Sequence, residues 1–192
     1  MALPPFPIET ARLLLRPFEA TDHGAVLAYQ GREDVNRYMH ADPSGADELR
    51  EMLARRMAES RLEQEGDVLD LAAVLREDGR LVGDVTLFYR SAEHRQAEVA
   101  YVFHPDVHGR GLATEATEAL LQIAFEGLAC HRVYGRLDAR NAASARVLEK
   151  AGMRLEGRLV ENERDGGEWT DELIYAVLDR EWLTATGRTG SP

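Results

Sequence analysis

The sequence predicts an α+β domain, in which strands and helices follow one another without the regular alternation of a doubly wound fold. The chain of 192 residues is 44% hydrophobic and 30% charged, which suits one globular domain with a sizeable core. Three strand-like segments follow directly on one another in mid-chain, which indicates an antiparallel meander. A glycine-bearing loop before a helix comes after this meander, and not after the first strand as in a dinucleotide-binding fold.

The first third of the chain is expected to hold one strand and two helices. Apolar side chains alternate between two faces over residues 8–18, which predicts a strand. A carboxylate N-cap predicts a short helix at 22–30. A longer helix with a heavily charged outer face begins at Ser44 or Asp47 and ends near residue 65.

The meander consists of the segments 68–76, 81–90 and 97–103. The first two are joined by residues 77–79, Glu-Asp-Gly, which is a typical hairpin turn signal. Gly83 interrupts the second strand and indicates a bulge.

The last third is expected to contain two helices and three strands. Apolar residues at helical spacing predict a helix over 112–127, and a strand follows at 132–138. A helix is expected at 141–152, with Gly152 at its end. Two final strands, 155–164 and 168–178, flank a Gly-Gly turn.

Composition limits the classes of function. We expect a single domain over 1–183 and a disordered polar tail over 184–192. The net charge of −11 argues against a nucleic-acid surface and favours cationic partners. The chain has no apolar run that could span a membrane and no signal-peptide pattern at its start, so a cytoplasmic location is expected. Cys130 is the sole cysteine, and no Cys/His spacing suggests a metal site.

The most informative segment is 104–116, which leads from an apolar strand through a glycine-bearing loop into a helix. Gly109 and Gly111 let the backbone approach a ligand closely, and the helix start offers free amides and a positive dipole end to a diphosphate. Arg110 adds a charge. A tight strand-to-helix connection would need the same glycines, so both explanations stay open. Thr114 stands where a dinucleotide fingerprint would need its third glycine.

Four segments together resemble the GCN5-related N-acetyltransferase (GNAT) superfamily, and within it the branch that acetylates the N-termini of ribosomal proteins. They are 10–18, 108–116, 141–153 and 171–182, and they span almost the whole chain. The resemblance implies a central, mostly antiparallel mixed sheet of six to seven strands flanked by about four helices. It also implies acetyl-CoA as co-substrate and an amine as acceptor, with no metal.

The same resemblance implies which residues contact the cofactor. His108 replaces the usual Gln or Arg of the motif, which leaves the backbone amides of the loop unchanged. Asn141 would contact the pantetheine arm, and it is equally suited to be a helix N-cap. The implied cofactor-binding residues are Val102, Phe103, His108, Gly109, Arg110, Gly111, Leu112, Ala113, Thr114, Asn141 and Arg146.

The resemblance also implies the catalytic residues Glu98, Asn141 and Ser144. Glu98 matches a general-base glutamate, and its alternative role is a surface carboxylate paired with an arginine. The amides around Val102 and Phe103 would donate to the thioester carbonyl oxygen.

Other candidates concern the leaving group and the acceptor. Leu148 occupies the position of the tyrosine that protonates the thiolate in many members, so Ser144 is the replacement candidate. Glu161 and Glu163 could bind the incoming ammonium, compete with Glu98 as the base, or simply be solvated.

The basicity of the amine bears on which acceptor is expected. An α-amine has a pKa near ~8 and a lysine amine near ~10.4, so deprotonating lysine costs roughly 3 kcal/mol more at neutral pH. This favours a protein N-terminus, as on a ribosomal protein. A polyamine, an aminoglycoside, or a non-catalytic acyl-CoA-binding module are the alternatives, and the sequence leaves open whether the chain forms a homodimer.

Overall fold

The computed structural model describes residues 5–39, 45–59 and 61–188. Its strands are β1 (Ile8–Glu9), β2 (Leu13–Arg16), β3 (Val68–Leu75), β4 (Leu81–Ser91), β5 (Gln96–Phe103), β6 (Arg132–Asp138), β7 (Arg154–Asp165) and β8 (Glu168–Leu178). They form one eight-stranded mixed sheet with the order β1-β2-β3-β4-β5-β6-β8-β7. Every neighbouring pair is antiparallel except β5 and β6. The α+β prediction is confirmed, with one or two strands more than expected.

Helices cover both faces of the sheet. The α-helices of the described residues are α1 (His23–Gln30), α2 (Glu33–Asn36), α3 (Ala46–Glu59), α4 (Leu112–Gln122), α5 (Ala142–Lys150) and α6 (Asp179–Thr186). Of these, α2 and α6 were not predicted. A π-helical turn, Ile123–Gly127, extends α4. The predicted end of α3 near residue 65 is too late, and Ser44 lies outside the described residues.

The predicted strand at 8–18 is in fact a tight pair of short strands. Ile8 pairs with Leu15, so the chain reverses between β1 and β2. The Thr10 hydroxyl accepts the amide of Leu13 at 2.9 Å, and the Thr10 amide donates to the Leu13 carbonyl at 2.9 Å. A threonine side chain that satisfies a backbone amide in this way favours a turn over continued sheet.

Side chains of the sheet alternate between two hydrophobic clusters. The larger cluster packs β4 and β5 against α4 and includes Val85 and Val99. The smaller one packs the opposite face against α1 and α3 and includes Ala72 and Leu49. Because both faces are covered, β3 and β4 are buried almost throughout. The register shift in β3 lies opposite Gly83, where the bulge was expected.

The predicted boundary between domain and tail, after residue 183, is wrong because it falls inside α6. Trp182 is buried, and its ring centroid lies 5.2 Å from that of Phe125. Arg188 pairs with Glu126. The predicted tail is therefore ordered as far as residue 188, and residues 189–192 lie outside the described part.

Candidate active site

The two strands β5 and β6 separate in the middle of the sheet. Among the described residues they pair at three positions, of which the last joins Glu98 to Tyr134. Beyond this pair β5 stays bound to β4 up to Phe103, whereas β6 stays bound to β8 up to Asp138. We call this opening the fork. One edge of each strand is thereby left available to a ligand.

The exposed amides of β5 are those of alternate residues. The His104 amide donates to the Val82 carbonyl at 2.8 Å, and the Val102 carbonyl lies 2.5 Å from where a Cβ on Gly83 would stand, so these groups face β4. In a strand, the backbone N–H and C=O groups of successive residues point to opposite edges. Those of Phe103 therefore point away from β4 and toward the fork. Of the two amides expected to contact the acyl carbonyl, Phe103 is suitably directed and Val102 is not.

The loop after β5 has the geometry of an anion site. Gly109 and Gly111 have φ values of 75° and 77°, and no protein atom lies within 4 Å of a Cβ added to Gly109. The Glu115 amide makes the first hydrogen bond of α4, to the Gly111 carbonyl at 3.1 Å. The amides of Leu112, Ala113 and Thr114 therefore have no partner inside the helix. A diphosphate would fit this glycine loop, residues 108–111, and the helix start.

Three side chains expected to contact the cofactor, those of His108, Arg110 and Arg146, have partners within the protein. The His108 ring contacts the Phe103 carbonyl through Nε2 at 3.0 Å, so it supports the end of β5. Arg110 donates to Glu77 of the β3–β4 turn at 3.1 Å. Arg146 donates to the Ala142 carbonyl of its own helix at 3.1 Å. Anion binding at this loop would therefore begin with the backbone.

Glu98 lies at the closed end of the fork. Its carboxylate accepts a hydrogen bond from Arg90 Nε at 2.8 Å, and the residue is 9% exposed. Tyr134 faces Glu98 across the strand pair. Burial of its phenol is the larger cause, and the negative charge of Glu98 the second cause, of a raised Tyr134 pKa. The arginine pairing considered from the sequence is thus present. It fixes the carboxylate beside the opening, and the base role stays a prediction.

The first turn of α5 lies across the fork from β5. Asn141 Oδ1 accepts the Ser144 amide at 3.0 Å, which is N-cap geometry. The Tyr101 hydroxyl lies 2.8 Å from Ser144 Oγ and 3.0 Å from the Ser144 carbonyl. Tyr101 was missed in the sequence. The signal available was one hydroxyl among the otherwise apolar residues of that strand face.

Leu148 closes the inner wall of the fork. It is 2% exposed, and its Cδ1 lies 2.9 Å from where a Cβ on Gly135 of β6 would stand. The glycine thus lets Leu148 pack closely against this point of β6, and a larger residue there would force the leucine side chain to shift. Leucine has no proton to donate to a leaving thiolate. The hydroxyls of Tyr101 and Ser144 are the donors that the structure places at this wall.

The acidic residues of β7 are divided by a bulge. The register of β7 against β8 shifts between Leu159 and Glu163, and Glu161 has φ 51°. The Glu161 amide donates to Asp171 Oδ1 at 2.8 Å, which holds the bulge in place. Bulges near active sites commonly redirect the side chains that follow them.

At this bulge, Asn162 contacts the buried carboxylate of Glu172. Glu172 accepts from Arg136 at 2.8 and 3.0 Å and from Asn162 Nδ2 at 3.0 Å. Arg136 also donates to Glu163 at 3.2 Å. Glu163 therefore belongs to a charge network on the same sheet face as Glu98. Asn162 is a further member that the sequence did not indicate.

Helices α1 and α3 are attached to this face through a buried carboxylate of β4. Asp84 accepts from the Tyr29 hydroxyl at 2.5 Å, from Gln30 Nε2 at 2.9 Å and from Arg56 Nη1 at 3.0 Å. Burial of the Tyr29 phenol is the larger cause, and the charge of Asp84 the second cause, of a Tyr29 pKa well above its ordinary value. The phenol thus remains a donor, and the network fixes the helices beside the fork.

Two classes of feature are absent from the part of the chain that the structure describes. No group of three or more His, Cys, Asp and Glu side chains is placed to hold a metal ion. None of the helices formed by residues 5–39, 45–59 and 61–188 is long and apolar enough to cross a membrane.

The chain is similar to known acetyltransferases over most of its length. The family model described as Acetyltransferase (GNAT) domain matches residues 12–154. An acetyltransferase of the GNAT family from Bacillus anthracis superposes with a TM-score of 0.81 and 31% identity, covering 90% of this chain and 98% of that one.

Curated relatives extend over most of the chain. The uncharacterized N-acetyltransferase YnaD of Bacillus subtilis (strain 168) is 34% identical, over 91% of this chain and 98% of its own length. The putative ribosomal N-acetyltransferase YdaF of the same strain is 30% identical, over 88% and 91%. The spermidine N(1)-acetyltransferase of Escherichia coli (strain K12) is 25% identical, over 88% and 87%.

The superfamily predicted from four sequence segments is therefore confirmed. The family uses acetyl-CoA as its acetyl donor, and the glycine loop and fork fit such a molecule. With a family model over residues 12–154 and a relative at 34% identity, the chain belongs to the GNAT acetyltransferase family and is an N-acetyltransferase.

Proposed function

We propose that this enzyme transfers the acetyl group of acetyl-CoA to the N-terminal α-amine of a protein, as in the ribosomal type. The observation that carries the proposal is the arrangement along β5. The fork opens directly after Glu98, and the glycine loop begins five residues beyond Phe103. About 17 Å of extended strand separates Glu98 from Phe103, which suits a long, narrow cofactor.

The cofactor would be held mainly by backbone groups. The amides of Gly109, Gly111 and the first turn of α4 would bind the diphosphate. Arg110 and Arg146 are exposed, so they can exchange their present partners for phosphate oxygens at little cost. When bound there, acetyl-CoA supplies the acetyl thioester within the fork. The Phe103 amide would then donate to the developing oxyanion.

Glu98 is assigned the role of general base. It would take a proton from the incoming ammonium, directly or through one water, so that the neutral amine can attack the thioester carbonyl. Arg90 keeps the carboxylate in a single orientation at the fork. As the C–N bond forms and the thioester C–S bond breaks, the attacking nitrogen would lose its second proton to the departing thiolate, directly or through water, to give the CoA thiol. Ser144 would donate a hydrogen bond to the departing sulfur, and Asn141 holds the first turn of α5.

Two observations support a polypeptide acceptor. YdaF, named as a putative ribosomal N-acetyltransferase, is 30% identical. At the end of the sheet next to the charge network, β7 has a free edge, and the hairpin with β8 exposes Leu159, Val160 and Trp169. An extended peptide can bind to such an edge. The lower pKa of an α-amine also suits a single carboxylate base.

A polyamine is the second candidate acceptor. The net charge of −11 and the carboxylates at the fork favour a polycation. The E. coli relative at 25% identity is named as a spermidine acetyltransferase. A cytoplasmic location and a homodimer stay predictions beside this proposal.

Release of free CoA thiol from acetyl-CoA tests both candidates. The panel contains peptides with a free N-terminus, the same peptides with a blocked N-terminus and an internal lysine, spermidine, spermine and an aminoglycoside. We expect turnover with the free N-terminal peptides and none with the blocked ones. Turnover with spermidine alone would replace the first candidate by the second. Binding of CoA without turnover of any amine would contradict both.

A further inference from the structure

An arginine of the N-terminal turn reaches the glycine loop. Arg12 follows β1 and precedes β2, and its Nη1 donates to the Arg110 carbonyl at 2.7 Å. Its Nη2 lies 3.6 Å from where a Cβ on Gly111 would stand. With this carbonyl engaged by Arg12, the peptide that follows is fixed in orientation. The loop is therefore supported by a residue almost a hundred positions earlier in the chain.

The same arginine neutralises an acid at the start of α4. Arg12 Nε donates to Glu115 Oε2 at 2.7 Å, and the Arg12 amide donates to Glu115 Oε1 at 2.7 Å. The Thr10 hydroxyl donates to the same oxygen at 2.6 Å. Burial alone would raise the pKa of Glu115, but these hydrogen bonds from Thr10 and Arg12 outweigh it and lower the pKa below its ordinary value.

Glu115 creates an electrostatic problem for an anion site. A carboxylate in the first turn is favourable for an isolated helix, because it complements the positive end of the dipole. The same charge repels a diphosphate that binds to the amides of that turn. The side chain of Glu115 is 13% exposed, so solvent screens it poorly. A cation is needed beside it for the helix start to attract an anion.

We propose that Arg12 is a positioning residue for the diphosphate of the cofactor. It acts through the Arg110 carbonyl, which sets the loop, and through Glu115, whose charge it cancels. The inference rests on the proposed function, since it requires CoA at the glycine loop. It also assigns a role to the N-terminal turn that holds Thr10 and Arg12.

A second arginine provides the matched control. Arg76 donates to the Thr10 carbonyl at 2.7 Å and pairs with Glu9 at 3.3 Å, so it stabilises the same turn from its other side. Its hydrogen bonds and ion pair within the described residues do not involve residues 108–111 or Glu115. Loss of Arg76 therefore perturbs the turn without removing the charge beside the helix start.

The test is calorimetric titration of CoA into the full-length protein and three variants: Arg12→Met, Arg12→Met with Glu115→Gln, and Arg76→Met. We expect Arg12→Met to raise Kd on the order of tenfold or more, as for the loss of one charge-assisted hydrogen bond. Adding Glu115→Gln should lower the Kd for CoA severalfold relative to that of Arg12→Met. Arg76→Met should stay within about twofold of wild type.

Turnover of S-acetylpantetheine, which lacks the diphosphate, distinguishes positioning from general damage. We expect Arg12→Met to leave kcat/KM for this donor within about twofold while kcat/KM for acetyl-CoA falls on the order of tenfold. If Arg12→Met does not fold, Arg12→Lys retains the charge, and its Kd should lie between those of wild type and the double variant.

The outcomes separate the two proposals. Wild-type protein that fails to bind CoA contradicts the proposed function itself. Wild-type protein that binds CoA, together with an Arg12→Met variant of unchanged Kd, overturns the role of Arg12 alone. An unchanged Kd of Arg12→Lys overturns the part of that role that acts through the Arg110 carbonyl. An unchanged Kd on adding Glu115→Gln to Arg12→Met overturns the charge-cancelling part.

Discussion

The phenol oxygen of Tyr101 lies 2.8 Å from the hydroxyl oxygen of Ser144, and this pair joins β5 to the first turn of α5 across the fork. Burial raises the pKa of Tyr101, and the hydrogen bond with Ser144 offsets only part of that increase. Tyr101 is thus a protonated donor at neutral pH. When it donates to Ser144 Oγ, the serine proton is free to turn toward the fork.

Removal of either hydroxyl should slow the reaction. We expect Ser144→Ala to lower kcat on the order of tenfold and Tyr101→Phe to lower it less, with the Kd for CoA nearly unchanged, because the pair would act on the sulfur only as it departs. Steady-state kinetics with the best amine of the panel measure this. Thr184→Val, which removes an exposed hydroxyl on α6, serves as the control. Equal kcat in all four proteins would contradict the role of the pair.

Glu98→Gln should separate catalysis from packing. The amide keeps the size of the side chain but cannot accept the ammonium proton, so we expect kcat to fall by roughly 10²–10³ while CoA still binds. Arg90→Gln removes the partner and leaves the base. We expect it to lower kcat far less. If the two variants lose similar stability and keep full kcat, Glu98 has only the pairing role.

Asp84→Ala should be strongly destabilising. The carboxylate is 2% exposed and holds Tyr29, Gln30 and Arg56, so its removal leaves an uncompensated charge in the interior. We expect a loss of about 3 kcal/mol or more in the free energy of unfolding. Asp47→Ala, at an exposed ion pair with Arg50, should cost less than about 1 kcal/mol. Urea denaturation measures both, and similar losses would refute the expectation.

Gly83→Ala should disturb the strand that carries the site. Its Cβ would lie 2.5 Å from the Val102 carbonyl and 2.8 Å from the Phe103 ring, so the backbone of β5 must shift. We expect a destabilisation of about 1–3 kcal/mol, together with weaker CoA binding. Gly24→Ala in α1 meets no atom within 4 Å and should be neutral or stabilising by up to about 1 kcal/mol. Unchanged thermal unfolding of the Gly83 variant would show that β5 adapts without cost.

The ion pair of Arg12 and Glu115 should give a defined pH dependence. Because the folded-state pKa of Glu115 is lowered, its stabilisation is fully present above the unfolded pKa, about 4.5, and is lost as the pH falls through the folded value. The difference in unfolding free energy between wild type and Glu115→Gln should be constant from about pH 6 to 7 and should shrink below about pH 4.5. A difference independent of pH between 3 and 7 would exclude this linkage.

Local patterns were sufficient for much of the fold. Alternating apolar residues and the turn at 77–79 located the meander, and Gly109 and Gly111 located the loop before α4, because each depends on neighbours in sequence. The break between β1 and β2 was missed because Thr10 closes its turn with a side-chain hydrogen bond. The helix α6 was missed because its stability comes from Trp182 packing on the distant Phe125.

Contacts between side chains that are distant in sequence could not be predicted in the same way. The family resemblance indicated Glu98, but its pairing with Arg90 depends on the register of β4 against β5. Tyr101 and Arg12 each contact a residue that only the folded chain brings near, Ser144 and Glu115 respectively. The directions of His108 and Arg110 likewise depend on the end of β5 and on the β3–β4 turn.

The short seam between β5 and β6 divides the sheet into two panels of five and three strands, joined by three residue pairs. Apart from the terminal β1–β2 pair, this junction has the fewest residue pairs of any strand contact in the described sheet, so few backbone hydrogen bonds join the two panels there. A ligand bound in the fork would contact both panels. We therefore expect such a ligand to stabilise the folded domain as well as to occupy its site.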